Sequence, residues 1–470
     1  MLFSSITFLV LFLPLTLVVY YLIPKKWQNA VMLAASLFFY AWGETVYVVL
    51  LFLSAVLNYF CGRDIYEKRE DPVRSRRSLT AAIVMNLLLL GFFKYYPAAA
   101  GALNGAFQLQ LPCRELQFPA GLSFFTFQAV SYLTDIYRKQ ITPQNNVVKF
   151  TLYLCMFPKL LAGPVVRYGD IEKQLDTRTL SVEKFGRGAM LFITGLAKKI
   201  LLADTMGAVC EQISGMQAGT FSALTAWTGC ICYAFQIYFD LSGYSDMALG
   251  LGKMFGFEYR RNFRYPYAAR TLRDFWRRWH ISVTSWFRDY VYLPLGRSRS
   301  GEVEDMCNIM LTGLAAGLWH GAQWNYVVGG IYFAFLLIME KYVWGANIRR
   351  FPRVVQHIYT MVIVLIGWVF FSSADLGTAL DYLGAMFGIG ASGIFDKQGF
   401  FLLLTHWLVL LLCILASSAK GQQILHRMMV RYKKVKVRKA AVCVVYIGMF
   451  LLSIVFLAAE GSRAFIYSGF

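Results

Sequence analysis

Charge is scarce in this chain. Only 15% of its 470 residues are Asp, Glu, Lys or Arg, and the 26 acidic residues are outnumbered by 46 basic ones. Soluble domains summing to this length need far more polar surface, so the scarcity excludes them. Histidine is scarcer still, with five in all: His280, His320, His357, His406 and His426. The nine cysteines include no CxxC pair. Cys230 and Cys232 form a CxC inside an apolar segment, and buried reduced thiols are expected rather than zinc or disulfides. No heptad pattern, low-complexity tract or repeat of about 20–50 residues is visible, which excludes coiled-coil and solenoid architectures.

What the chain has is apolar surface, with 58% hydrophobic and 17% aromatic residues. A membrane span takes roughly 20 apolar residues to cross about 30 Å of hydrocarbon. Apolar runs predict spans near 4–23, 29–42, 46–61, 79–97, 118–137, 186–204, 221–239, 308–322, 325–344, 354–372, 399–418 and 440–459. The first lacks a basic leading region and a small-residue cleavage pattern, so it reads as a span rather than a cleaved signal. The run 151–166 is broken by Pro158, Gly163 and Pro164 and is expected to kink or re-enter. The fold class is therefore all-α, a polytopic integral membrane protein of about 11–13 transmembrane helices with re-entrant or interfacial helices.

The net charge of +20 sits mostly in loops between spans. Such basic loops orient a membrane protein by remaining cytoplasmic, and they meet anionic lipid headgroups. Membrane lipids, not nucleic acid, are thus the expected partners. Assigning Lys25-Lys26, 63–77, Arg138-Lys139, 349–353 and 420–439 to the cytoplasm puts both termini on the other side.

One stretch, 258–300, departs from its surroundings. It carries Arg260, Arg261, Arg264, Arg270, Arg273, Arg277, Arg278, Arg288, Arg297 and Arg299 among many aromatics. Phe275, Trp276, Trp279, Val283, Trp286, Phe287 and Tyr290 recur at three- and four-residue steps, the spacing of an amphipathic helix. It could anchor the chain at the interface, or wall a cytoplasmic cavity in which arginine forks hold a phosphorylated ligand.

Chemistry is expected at Gly317-Leu318-Trp319-His320-Gly321-Ala322. An ionisable residue within an apolar run is costly, and its presence points to function. Histidine is also suited to taking and returning a proton near neutral pH, as the activation of a hydroxyl nucleophile requires. The bland alternative is a buried histidine bonded to a carbonyl. His280 lies in a similar tryptophan-rich setting. In Tyr238-Phe239-Asp240-Leu241-Ser242-Gly243-Tyr244-Ser245-Asp246, buried carboxylates need partners, with the arginines of 260–278 favoured over a histidine. Lys159 is a further intramembrane charge and a candidate cavity-lining group. His357 and His406 fall near span ends and His426 in a basic loop.

On these residues the chain resembles the membrane-bound O-acyltransferase family. Within it, the likeness is to the bacterial membrane components of alginate and other polysaccharide (exopolysaccharide) O-acetylation systems. It is carried by Met1-Leu2-Phe3-Ser4-Ser5, 157–167, 238–250, Phe275-Trp276-Arg277-Arg278-Trp279-His280-Ile281-Ser282, Trp286-Phe287-Arg288-Asp289-Tyr290 and Gly317 to Ala322. The resemblance implies one domain over 1–470, with helices around a central tunnel, 258–300 on its cytoplasmic funnel and 306–344 around the catalytic histidine. It implies His320 as the catalytic histidine and His280 as a second required one. Trp276, Arg277, Trp279, Arg288, Asp289 and Trp319 become candidates for binding donor or substrate, with Lys159, Asp240, Ser242, Tyr244 and Asp246 beside them. It also implies a thioester donor such as acetyl-CoA, no permanently bound cofactor or metal, a secreted SGNH-hydrolase-like acetyltransferase partner, and a bacterial plasma-membrane location. D-alanyl transfer to teichoic acid is the alternative within the family. A transporter or flippase, or a scaffold with inert histidines, is the alternative outside it.

Overall fold

The computed structural model describes residues 1–109, 117–216, 219–296, 301–421, 423, 435–461 and 463–466. Helices account for the regular structure among them, and no strand occurs. Among the described residues, five helices are long and apolar enough to cross a bilayer: Tyr47–Glu67, Pro72–Phe107, Arg353–Ser372, Lys397–Ala416 and Lys439–Ala459. Of the other expected spans, 29–42, 118–137 and 325–344 fall on Gln28–Gly43, Leu122–Tyr137 and Trp324–Tyr342, 221–239 falls within the longer Ala223–Met254, and 186–204 is divided between Val182–Ala197 and the π-helical Lys198–Ala203. This is a multi-pass α-helical membrane protein.

The chain divides into two compact units. The first comprises Met1–Phe192, Tyr244–Arg260 and Ala464–Phe470. Its longest helix, Pro72–Phe107, opens with Pro72 behind an Asp71 cap whose carboxylate accepts from the Val73 and Arg74 amides. Its 36 residues run about 54 Å, more than the hydrocarbon needs, so its basic first turns project beyond the apolar stretch. Asn58 of Tyr47–Glu67 and Asn86 of Pro72–Phe107 exchange amide hydrogen bonds of 3.1 and 2.8 Å. Both are buried, and a paired amide is how two helices can hold each other where no water competes.

The expected break in 151–166 is present. Val147–Cys155 stops at Cys155, Phe157–Leu160 makes one turn, and Gly163 follows where a Cβ would meet the Lys159 Cα at 2.5 Å. Leu122–Tyr137 is buried on every face, as a helix surrounded by others must be.

The second unit comprises Ile193–Gly243 and Arg261–Arg463. Asp396 organises one end of it. Its carboxylate accepts from the Gly399 amide, capping Lys397–Ala416, and from the Ser222 amide and Thr225 hydroxyl at the start of Ala223–Met254. Burial raises its pKa, but those donors outweigh it and hold the carboxyl below its usual range.

Candidate active site

His320 is the last residue of Glu302–His320, which turns back at Gly321 into Trp324–Tyr342. Glycines let the two helices of this hairpin touch backbone to backbone. A Cβ at Gly313 would meet the Gly330 carbonyl oxygen at 2.7 Å, and one at Gly317 would meet the Tyr326 carbonyl oxygen at 2.6 Å. No side chain fits between them. The chain therefore turns at a fixed place, and the imidazole that ends the first helix is fixed with it. Its ring centroid lies 4.7 Å from Trp319, 4.8 Å from Phe371 and 6.2 Å from Tyr326.

The second histidine sits where the sequence predicted a continuous amphipathic helix. The helix is broken. Leu272–Trp276 ends at Arg277, His280 takes φ 41° and ψ 53°, and the chain resumes as Ile281–Phe287 and a π-helical turn at Arg288–Tyr292. A left-handed conformation at a histidine costs energy and needs surrounding structure to impose it. The imposing groups are on an upstream loop. The Ile281 amide donates to the Asn262 carbonyl at 2.8 Å, the Ser282 amide and hydroxyl donate to Asn262 Oδ1, and the Arg264 amide donates to the Arg278 carbonyl. Tyr265, also in this stretch, has φ 50°. Spacing alone gave no warning of the break, because the aromatic steps fit one helix as well as two.

The two histidines belong to one aromatic wall. Phe371, beside His320, lies 5.9 Å from Trp368, and Trp368 lies 4.8 Å from Trp279. Trp279 meets Phe263 at 5.3 Å, and Phe263 meets the His280 ring at 5.6 Å. Trp276 packs edge-on to Phe333 at 5.0 Å, and Phe287 meets Trp319 at 6.0 Å. Trp368 and Phe371 were missed by sequence reasoning, since the apolar run 354–372 marks them no differently from lipid-facing neighbours. Arg277 is exposed, and Arg288 forms a 2.7 Å ion pair with Asp289. Arg297 and Arg299 lie outside the described residues.

The Asp240 carboxylate does not answer to the arginines favoured from sequence. Its partner is Lys199, at 2.8 Å, which also holds Asp204 at 2.7 Å. All three are buried, and one ammonium between two carboxylates satisfies the need that burial creates. The sequence hid this because nothing in the Lys198-Lys199 pair shows which of the two turns inward to Asp240, some forty residues away. Ser242 is buried two residues further along the same helix as Asp240.

Three other candidates lie in the first unit. Lys159 is fully buried, with its Nζ bonded to Gln128 Oε1 and 4.6 Å from the Tyr153 ring centroid. Tyr244 stacks on Phe3 at 4.8 Å and borders a cavity of about 260 Å³ with Tyr40, Glu44 and Phe465. Asp246 is half-buried on the same helix. Of the other histidines, His357 contacts the Ala269 carbonyl at 3.1 Å. His406 was expected near a span end and instead sits midway along Lys397–Ala416, its Nδ1 3.0 Å from the Leu402 carbonyl. His426 lies outside the described residues.

Residues 79–376 match the profile of the membrane-bound O-acyltransferase family. The chain belongs to that family. This O-acyltransferase is 38% identical over 395 residues to the "Probable alginate O-acetylase AlgI" of Pseudomonas syringae pv. tomato, covering 83% of this chain and 76% of the relative. It is 30% identical to the "Peptidoglycan O-acetyltransferase" of Helicobacter pylori, covering 83% and 80%. It is 25% identical to the "Teichoic acid D-alanyltransferase" of Bacillus subtilis, covering 62% and 76%. The family and these relatives place the membrane O-acyltransferase in the alginate O-acetylation branch. Reading its intramembrane charges as a transporter's path is thereby set aside.

Proposed function

We propose that this enzyme takes an acetyl group from acetyl-CoA on the cytoplasmic side and delivers it for O-acetylation of an extracytoplasmic polysaccharide. The observation that carries the reading is the aromatic wall joining the surroundings of His320 and His280. Its apolar faces suit a site that keeps water from a thioester, and an imidazole at each end supplies the proton chemistry.

In this reading His320 is the general base. An acceptor hydroxyl attacks the thioester carbonyl carbon while the imidazole takes its proton. The new C–O bond forms, the C–S bond breaks, and the thiolate of coenzyme A leaves with the proton that His320 returns. His280, Trp276, Arg277, Trp279, Arg288 and Asp289 flank the donor, and Trp319 packs beside the base. Lys159, Asp240, Ser242, Tyr244 and Asp246 remain substrate-facing candidates, although the Lys199 ion pair favours a structural role for Asp240. The acceptor hydroxyl is that of a secreted SGNH-hydrolase-like partner, and a polymer hydroxyl then attacks the partner's ester and frees its hydroxyl again, with both termini of this chain on the extracytoplasmic side of a bacterial plasma membrane. No cofactor stays bound.

His320→Ala is the test. The variant should be produced and elute in detergent as the parent does, while acetyl on the polymer falls to background. Full acetylation by it would overturn the assignment. D-alanyl transfer is the second reading, supported by likeness to the teichoic acid enzyme at lower identity and coverage. Mass spectrometry of acyl groups released from the cell envelope separates an acetyl ester from a D-alanyl one.

A further inference from the structure

The hairpin that ends in His320 has a second end, and that end holds the broken segment around His280. Trp324–Tyr342 runs about 28 Å, so Glu340 near its close is a full helix length from the turn. The Glu340 side chain is buried, and its two oxygens accept from the backbone of another segment. The Leu272 amide donates to Oε2 at 2.7 Å and the Arg273 amide to Oε1 at 3.1 Å. These amides open Leu272–Trp276, which leads through Arg277 and Trp279 to His280. A helix start leaves amides without partners inside the helix, and a carboxylate from elsewhere is a strong acceptor for them. Thr271 satisfies the next amide, that of Asp274, from within the segment.

The far end of the segment is held from the same hairpin. Asp305, fully buried near the start of Glu302–His320, accepts from the Tyr292 hydroxyl, from Lys341 at 2.5 Å and from Tyr342 at 2.6 Å. Asn308 donates to the Gly296 carbonyl at 2.8 Å. The glycine contacts pack the two helices backbone against backbone, so the tie points and His320 sit on one hairpin.

We propose that Glu340 is a positioning residue for the acyl-donor site, setting where Trp276, Arg277 and His280 stand relative to His320. This rests on the reading above that the segment receives the donor. Glu340 touches no reacting atom. It acts through two backbone amides, and no other residue type offers both oxygens with a negative charge at this reach except aspartate, which is one methylene shorter.

The test uses full-length protein in detergent, with coenzyme A as the probe. Glu340→Ala should raise the coenzyme A dissociation constant by about tenfold or more, because small misplacement of binding groups is costly. It should also speed hydrogen exchange of the amides in 271–281 by a similar factor, leaving exchange in Arg353–Ser372 unchanged. Glu340→Gln, whose single oxygen accepts one amide, should fall between parent and alanine variant, and it carries the comparison if the alanine variant does not fold. Parent-like binding of coenzyme A by the variants, or parent-like exchange in 271–281, overturns the proposal. Exchange that rises everywhere overturns it too, as that marks general loosening. A parent protein that does not bind coenzyme A overturns the donor reading and, with it, the ligand named here, whatever the exchange shows.

Discussion

The imidazole of His320 meets the ring of Phe371 edge to face, with centroids 4.8 Å apart and planes at 70°. That contact holds the imidazole from a helix other than its own. Phe371→Leu keeps the apolar character and loses the flat face, so transfer should drop about 10–100-fold through misplacement of the base. The rate of acetyl transfer per folded enzyme checks this, and a parent-like rate would deny Phe371 any part in placing the imidazole.

Lys199 stands between Asp204 and Asp240 in a buried setting. Replacing it with methionine leaves two carboxylates facing each other without a cation. Breaking a buried ion pair from one side costs about 3–5 kcal/mol. Lys199→Met should therefore unfold at markedly lower temperature, and adding Asp204→Asn with Asp240→Asn should recover much of the loss. A single variant as heat-resistant as the parent refutes the account.

Gly330 packs where a Cβ would lie 2.4 Å from the Gly313 carbonyl oxygen and 2.9 Å from the Gly317 backbone. Backbone cannot step aside as a side chain can. Gly330→Ala should cost about 1–3 kcal/mol of stability and shift the turn that carries His320, lowering activity as well. Unchanged melting temperature together with unchanged turnover would show the helices to be looser than the contact implies.

Asp396 links the starts of two helices, and its carboxyl is held below the usual range. A depressed folded pKa stabilises the fold above the unfolded value of about 3.9, and that contribution fades as pH falls through the folded value. Stability of the parent should accordingly drop on strong acidification more than that of Asp396→Asn, which has no charge to lose. At neutral pH the asparagine variant should be the weaker by about 1–2 kcal/mol. Parallel pH profiles for the two proteins would contradict this.

Most spans were legible because a run of apolar residues near bilayer length has few other uses. The run 29–42 became Gln28–Gly43, and 354–372 became Arg353–Ser372. The broken stretch after Cys155 was legible from its prolines and glycine. His320 announced itself by being polar where its neighbours are not. What stayed hidden depends on contacts between segments far apart in the chain. The helix break at His280 is imposed by Asn262, the partner of Asp240 is Lys199, and the ring beside His320 is Phe371. Glu340 lies inside the expected span 325–344, and its contact with the amides of Leu272 and Arg273 is visible only in the fold.

The glycine seam of the hairpin also bears on which acyl chains this scaffold could be re-engineered to accept. Its backbone contacts leave no slack to widen from that side. If the aromatic wall receives the acyl group as proposed, room for a butyryl or longer group comes from trimming Trp368 or Phe371, so size selection lies in aromatic side chains rather than in the main chain.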